Sequence, residues 1–69
     1  MNTKLFEYDV VRSIRPLGKE VPGGTPGAVL MVFASAHPQY EVEFVNGAGE
    51  SLAVLTVSEE DLELVERSD

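Results

Sequence analysis

The chain has 69 residues, with twelve Asp or Glu against five Lys or Arg, a formal net charge of −7 and no Cys. That length allows one domain, residues 1–69, which on folding buries only about 60% of its unfolded surface. The lack of Cys excludes disulfide staples and Cys-based zinc sites. Four of the bases, Lys4, Arg12, Arg15 and Lys19, sit in the first nineteen residues, whereas Glu20 through Glu66 holds nine acids and no base. Nucleic-acid affinity comes largely from Lys and Arg displacing counterions, so this distribution opposes it.

Met1 to Glu7 has no apolar run ahead of a cleavage site, so no secretory signal is expected there. The longest apolar stretch, Ala28 to Ala34, falls far short of the roughly 20 residues that span a bilayer. The expected setting is cytoplasmic, away from membranes.

Apolar residues come in short runs rich in Val, Leu, Phe and Tyr, cut by Gly, Pro and Asn, which is the pattern of strands. The first predicted strand covers about Asp9 to Ile14. A loop follows over Arg15 to Pro26, and its Pro22-Gly23-Gly24-Thr25-Pro26 segment is too rich in breakers for a regular element. The second strand runs from about Gly27 to Ala34, and Ala36-His37-Pro38-Gln39 turns the chain. The third, Tyr40 to Phe44, alternates strictly: Tyr40, Val42 and Phe44 share one face and Glu41 and Glu43 the other. Asn46-Gly47-Ala48-Gly49 is a hairpin connection, since Asn and Gly accept positive φ. The fourth strand spans about Ser51 to Val57. Ser58-Glu59-Glu60-Asp61 resembles a helix start, but the apolar positions beyond it are too few to sustain a helix. One short helical turn leading into a fifth strand, Leu62 to Glu66, is expected. Five short strands, a long early loop and a helical turn before the last strand describe an all-β, five-stranded SH3-like barrel, whose closure hides strand edges. An open five-stranded meander is the alternative.

Tyr8-Asp9-Val10-Val11, Gly24-Thr25-Pro26-Gly27-Ala28-Val29, Tyr40-Glu41-Val42-Glu43-Phe44 and Leu55-Thr56-Val57 with Leu62 occur in that order along nearly the whole chain. Together they resemble a family of short bacterial proteins, the DUF4926 domain of unknown function. Ala28 departs from the family pattern, which more often shows Thr. The resemblance implies an SH3-like barrel without an established activity. It also implies, for relatives encoded beside toxin domains, an antitoxin or immunity role. The Gly24 to Val29 segment looks like the strand entry of KOW-type barrels too, many of which bind RNA; without the basic residues, that likeness extends to fold only. In physical terms Gly24 and Gly27 permit a bend or bulge where the strand joins the barrel.

Catalytic constellations are hard to assemble. His37 is the only His, in a turn beside Pro38, with no partner in sequence to make it the base for a Ser nucleophile. Glu59, Glu60, Asp61 and Glu63 do not have calcium-loop spacing and read as a solvated acidic edge. The glycine loop lacks the Lys-Ser or Lys-Thr ending of a phosphate loop and leads into a strand. No catalytic residue, metal or cofactor is expected.

One feature exceeds what a small core needs. The second and fourth strands are apolar on both faces: Ala28, Leu30 and Val32 against Val29, Met31 and Phe33, and Leu52 and Val54 against Ala53, Leu55 and Val57. One of those faces points outward, either covered by loops and Leu5-Phe6 or left as an interface. Flanking the third strand, it gives a surface in which Met31 and Leu52 border Glu41 and Glu43. The expected function is a non-enzymatic protein-binding module for a basic partner or a second copy of itself, in its most specific form an antitoxin or immunity protein. A small structural or self-associating subunit of a larger complex is the alternative, and RNA binding comes third. The charge distribution predicts no sequence-independent RNA affinity tighter than about 10⁻⁴ M at physiological salt. A filter-binding titration checks this, and micromolar binding that falls steeply with salt contradicts it.

Overall fold

Each alternating run becomes a strand and each breaker cluster a turn in the computed structural model, which describes residues 3–68. The strands are β1 (Val10–Ser13), β2 (Pro26–Phe33), β3 (Gln39–Val45), β4 (Ser51–Ser58) and β5 (Leu62–Glu66), with a 3₁₀ turn over Glu59–Asp61 before the last. All pair antiparallel in one sheet of order β4-β3-β2-β1-β5. This is the expected five-stranded barrel-like fold, with one difference. The sheet does not close by hydrogen bonding, and β4 and β5 remain its two edges. Ser58 precedes the 3₁₀ turn as expected, yet its side chain makes no capping bond. Among the described residues no helix is long and apolar enough to cross a membrane.

The core lies on the inner face. Val11, Val29, Tyr40, Val42, Phe44, Val57 and Leu62 reach it from all five strands, and Leu5 and Val21 reach it from the flanking segments. Burying an aliphatic or aromatic side chain contributes about 1.5–3 kcal/mol before entropy is counted, so in so small a set each position matters. The strict alternation of β3 puts Tyr40, Val42 and Phe44 here, opposite Val57, Leu55 and Ala53 of β4.

The two glycines of the β2 entry have different roles. Gly24 needs its backbone freedom, with φ +86° in the turn. Gly27 sits against β3, where a Cβ would come within 2.8 Å of the Glu43 carbonyl oxygen and of Val42 Cγ1. The expected bulge lies further along β2. Register passes from Val29↔Val42 to Met31↔Glu41, leaving Leu30 as the extra residue. Simple alternation groups Val29, Met31 and Phe33 on one face; the bulge separates them. Val29 stays inside, Val32 packs inward opposite Tyr40, and Met31 and Phe33 turn outward.

The N-terminal arm decides between the two alternatives for the outward face. It does not cover the outer sheet face: Leu5 inserts into the core, and Phe6, 54% exposed, lies under the Arg67 guanidinium. What places the arm is Asp9, which is fully buried. Its carboxylate accepts from Phe6 N (2.9 Å), Arg67 Nη1 (2.9 Å) and Ser68 N (2.7 Å). Burial pushes the Asp9 carboxyl up, but the Ser68 and Phe6 N–H groups and Arg67 together outweigh burial and hold it below its ordinary value. A depressed folded-state pKa means the stabilisation is present above the unfolded value and is lost as pH falls through the folded one. Asp9→Asn is expected to lower stability by about 2 kcal/mol at pH 7, and the deficit should vanish in acid. Urea unfolding of both proteins at pH 7 and below the carboxylate range measures this; a deficit that persists unchanged in acid contradicts it.

Candidate functional site

The outer face of the sheet is organised in cross-strand rows. One row runs Glu66, Val10, Ala28, Glu43, Val54 across β5, β1, β2, β3 and β4; the next runs Met31, Glu41, Thr56 across β2, β3 and β4. Of the four residues expected to form a docking face, Met31 therefore lies directly opposite Glu41. Val54, which that set omitted, lies directly opposite Glu43. Leu52 shares the outward face of β4 but is diagonal to Glu43, beside a register shift at Phe44/Val45. Met31 is 48% exposed and Val54 49%, and Phe33 and Val10 are exposed on the same face.

Glu41 and Glu43 are half-buried on this face and take part in no ion pair among the described residues. The arginines are engaged elsewhere. Arg12 pairs with Glu63 (2.7 Å), Arg15 with Asp61 (2.7 Å) and Arg67 with Asp9 (2.9 Å). A half-buried carboxylate has less hydration left to lose than a free surface acid has.

The acidic stretch after β4 is only in part the solvated edge that its composition describes, since Glu60 and Glu63 are exposed but most of its carboxylates are engaged. Asp61 is buried and bonded to Arg15 Nε, Glu63 is paired with Arg12, and only Glu60 of the stretch is exposed without a hydrogen bond among the described residues. Glu59 accepts from the Tyr40 hydroxyl and from Lys4 N. The Tyr40 hydroxyl, with Lys4 N–H as the lesser influence, holds the Glu59 carboxyl below its ordinary value. Burial, and then the bond to Glu59, push the Tyr40 phenol up. No group of three or more His, Asp or Glu side chains is placed to hold a metal among the described residues.

Sequence reasoning did not find the groove on the open side of the sheet, about 580 Å³, walled by Leu5, Leu62 and Leu64 and rimmed by His37, Glu59 and Arg67. Its parts lie far apart in the chain, and the β1–β5 and β3–β4 pairings together gather them. No hydrogen bond joins the His37 ring to Ser58 or to Glu59. The Glu59 carboxylate is already engaged by Tyr40 and Lys4 N.

Residues 7–64 match the family described as Domain of unknown function (DUF4926), and the chain belongs to that family. No curated protein and no solved structure matches it. The segments that carry the resemblance have structural work to do: Asp9 anchors both ends, Gly24 and Gly27 shape the β2 entry, and Tyr40, Val42 and Phe44 fill the core.

Tyr40→Phe removes the hydroxyl that links the arm to the 3₁₀ turn. Stability at pH 7 is expected to fall by about 1 kcal/mol, and the Glu59 carboxyl to titrate at higher pH than in the parent. Denaturant unfolding and carboxyl-carbon NMR titration read the two effects; an unmoved Glu59 titration contradicts the assignment.

Proposed function

We propose that this member of the DUF4926 family is a non-enzymatic protein-binding module that receives a basic partner on the outer face of β2, β3 and β4. The observation that carries this reading is the pair Glu41 and Glu43, half-buried, without ion-pair partners among the described residues, and flanked by exposed Met31 and Val54. Apolar anchors around a charged centre supply affinity and orientation together. The net charge of −7 speeds encounter with a basic surface. In its most specific form the module is an antitoxin or immunity protein whose acidic face covers a basic cleft, and inhibition is by occlusion.

The second reading, a self-associating subunit, draws on the same exposed Met31, Phe33 and Val54 side chains. Acid–base catalysis by Glu41 and Glu43 is less well supported. Their directly opposite neighbours on β2 and β4 are Met31, Ala28, Thr56 and Val54, none of which titrates.

The test is Glu41→Ala combined with Glu43→Ala, titrated calorimetrically against the product of the adjacent reading frame. Loss of carboxylates that meet Arg or Lys in a desolvated contact is expected to weaken binding by about 2–5 kcal/mol, with the fold intact by circular dichroism. Sedimentation of the same variant reads self-association. If affinity and sedimentation both stay at the parent values, this face is a solvated surface and the proposal fails.

A further inference from the structure

The two edges of the sheet are defended unequally. At one end β5, with sequence Leu-Glu-Leu-Val-Glu, carries two acids, a register shift against β1 at Val10/Val11, and the Arg12–Glu63 ion pair. Charges and bulges of this kind are what keep an edge from pairing with another chain. At the other end β4, with sequence Ser-Leu-Ala-Val-Leu-Thr-Val-Ser, is eight residues long and holds no charge and no Pro. β3 is its only strand partner, and among the described residues no other backbone or side-chain hydrogen bond reaches Ser51 to Val57. A row of backbone donors and acceptors is therefore open along an apolar strand.

What surrounds that edge states what fits it. Glu50 precedes β4, Glu59 and Glu60 follow it, and Glu41 and Glu43 lie on the neighbouring strand opposite Thr56 and Val54. No Lys or Arg occurs in the sequence between Glu20 and Glu66, and Glu41 and Glu43 take part in no ion pair among the described residues. A second copy fits poorly. An antiparallel pairing of two β4 strands centred on Val54 sets Glu50 of each against Ser58 of the other, beside Glu59 and Glu60, so that like charges meet at both ends. It also joins two chains of −7 each.

We infer that the free edge of β4 is a docking edge, to which an extended segment of a basic partner protein adds as a sixth strand. The inference rests on the reading of the outer face as a docking surface and deepens it by stating the conformation and charge of what docks. An added strand lies two strand spacings from β3, roughly 9.5 Å. Extended Arg or Lys side chains at alternate positions of that strand cross over Val54 and Thr56 to meet Glu43 and Glu41. Backbone pairing gives affinity without regard to sequence, and the acids select for a segment with bases on one face.

The probe is an eight-residue peptide of alternating arginine and valine, acetylated and amidated. Its controls are a twin N-methylated on alternate backbone nitrogens along the pairing edge and a twin with glutamate in place of arginine. At saturation the arginine peptide is expected to slow hydrogen exchange of the β4 amides that point away from β3 by at least about tenfold. The N-methylated and glutamate twins should give no such protection. Glu41→Gln with Glu43→Gln should weaken the arginine peptide by about fivefold or more. Val54→Lys, at an exposed position on the outer face, should abolish the protection with the fold intact by circular dichroism.

Equal binding of the arginine peptide and its N-methylated twin, without β4 protection but sensitive to the Gln pair, overturns the edge and leaves the docking face standing. Equal binding of the glutamate twin, or no binding of the arginine peptide at millimolar concentration, overturns the inference. So does a dimer in sedimentation whose β4 amides are protected without peptide, which assigns the edge to a second copy.

Discussion

The fold depends on one buried carboxylate. Asp9 stands at the start of β1 and gathers three chain segments. Its oxygens accept from Phe6 in the N-terminal arm and from Arg67 and Ser68 in the C-terminal tail, and its carbonyl accepts from Val29 N in β2. A desolvated carboxylate costs free energy unless its lone pairs are filled, and here backbone donors and a guanidinium fill them. The arrangement holds the neighbouring Tyr8 at φ 69°, the only non-glycine residue with positive φ among those described. Such a conformation costs of order 1–3 kcal/mol and persists only where its surroundings determine it.

The arm so placed completes the core from the open side. Leu5 enters it, Leu5 N donates to the Tyr40 hydroxyl, and that hydroxyl donates to Glu59 in the 3₁₀ turn. A sheet that does not close thus gets its missing wall from the arm and the turn, joined through hydrogen bonds rather than through a β4–β5 ladder. The same network engages the cations: Arg67 is bound to Asp9, Arg15 to Asp61 and Arg12 to Glu63. Arg12 pairs with Glu63 at the β1–β5 end of the outer face, and Arg15 and Arg67 are bound to Asp61 and Asp9, so none of the three arginines pairs with Glu41 or Glu43. Architecture and proposed function are linked through the arginines, since each is engaged by another acid.

Much of this was legible in the residues. Five strands, their bounds to within a residue or two, and the turn before the last strand all follow from short β-branched and aromatic runs separated by Gly, Pro and Asn. β3 was the clearest case, because strict alternation admits only one orientation, with Tyr40, Val42 and Phe44 inside and both acids outside. Asp9 carried no such signal. An acid before a valine run looks like any strand boundary, and its partners Arg67 and Ser68 lie 58 and 59 residues away. The acidic stretch was half legible for a similar reason: composition shows the charges of Glu59, Asp61 and Glu63 but not the Tyr40, Arg15 and Arg12 that meet them.

By itself, then, the sequence determined the strand content, the inward face of β3, the excess of apolar residues on β2 and β4, and the charge asymmetry. The first three are local patterns, written within a few residues, and the last is a distribution along the chain. Tertiary structure alone decided which apolar residues emerge. One extra residue at Leu30 shifts the register of β2, so that Met31 leaves the face of Val29 and comes to stand opposite Glu41, while the β3–β4 register selects Val54 to stand opposite Glu43. A strand's side chains alternate with a period of two, so a single bulge reverses every position beyond it. That reversal depends on which strand lies alongside, and no run of residues read alone contains its neighbour.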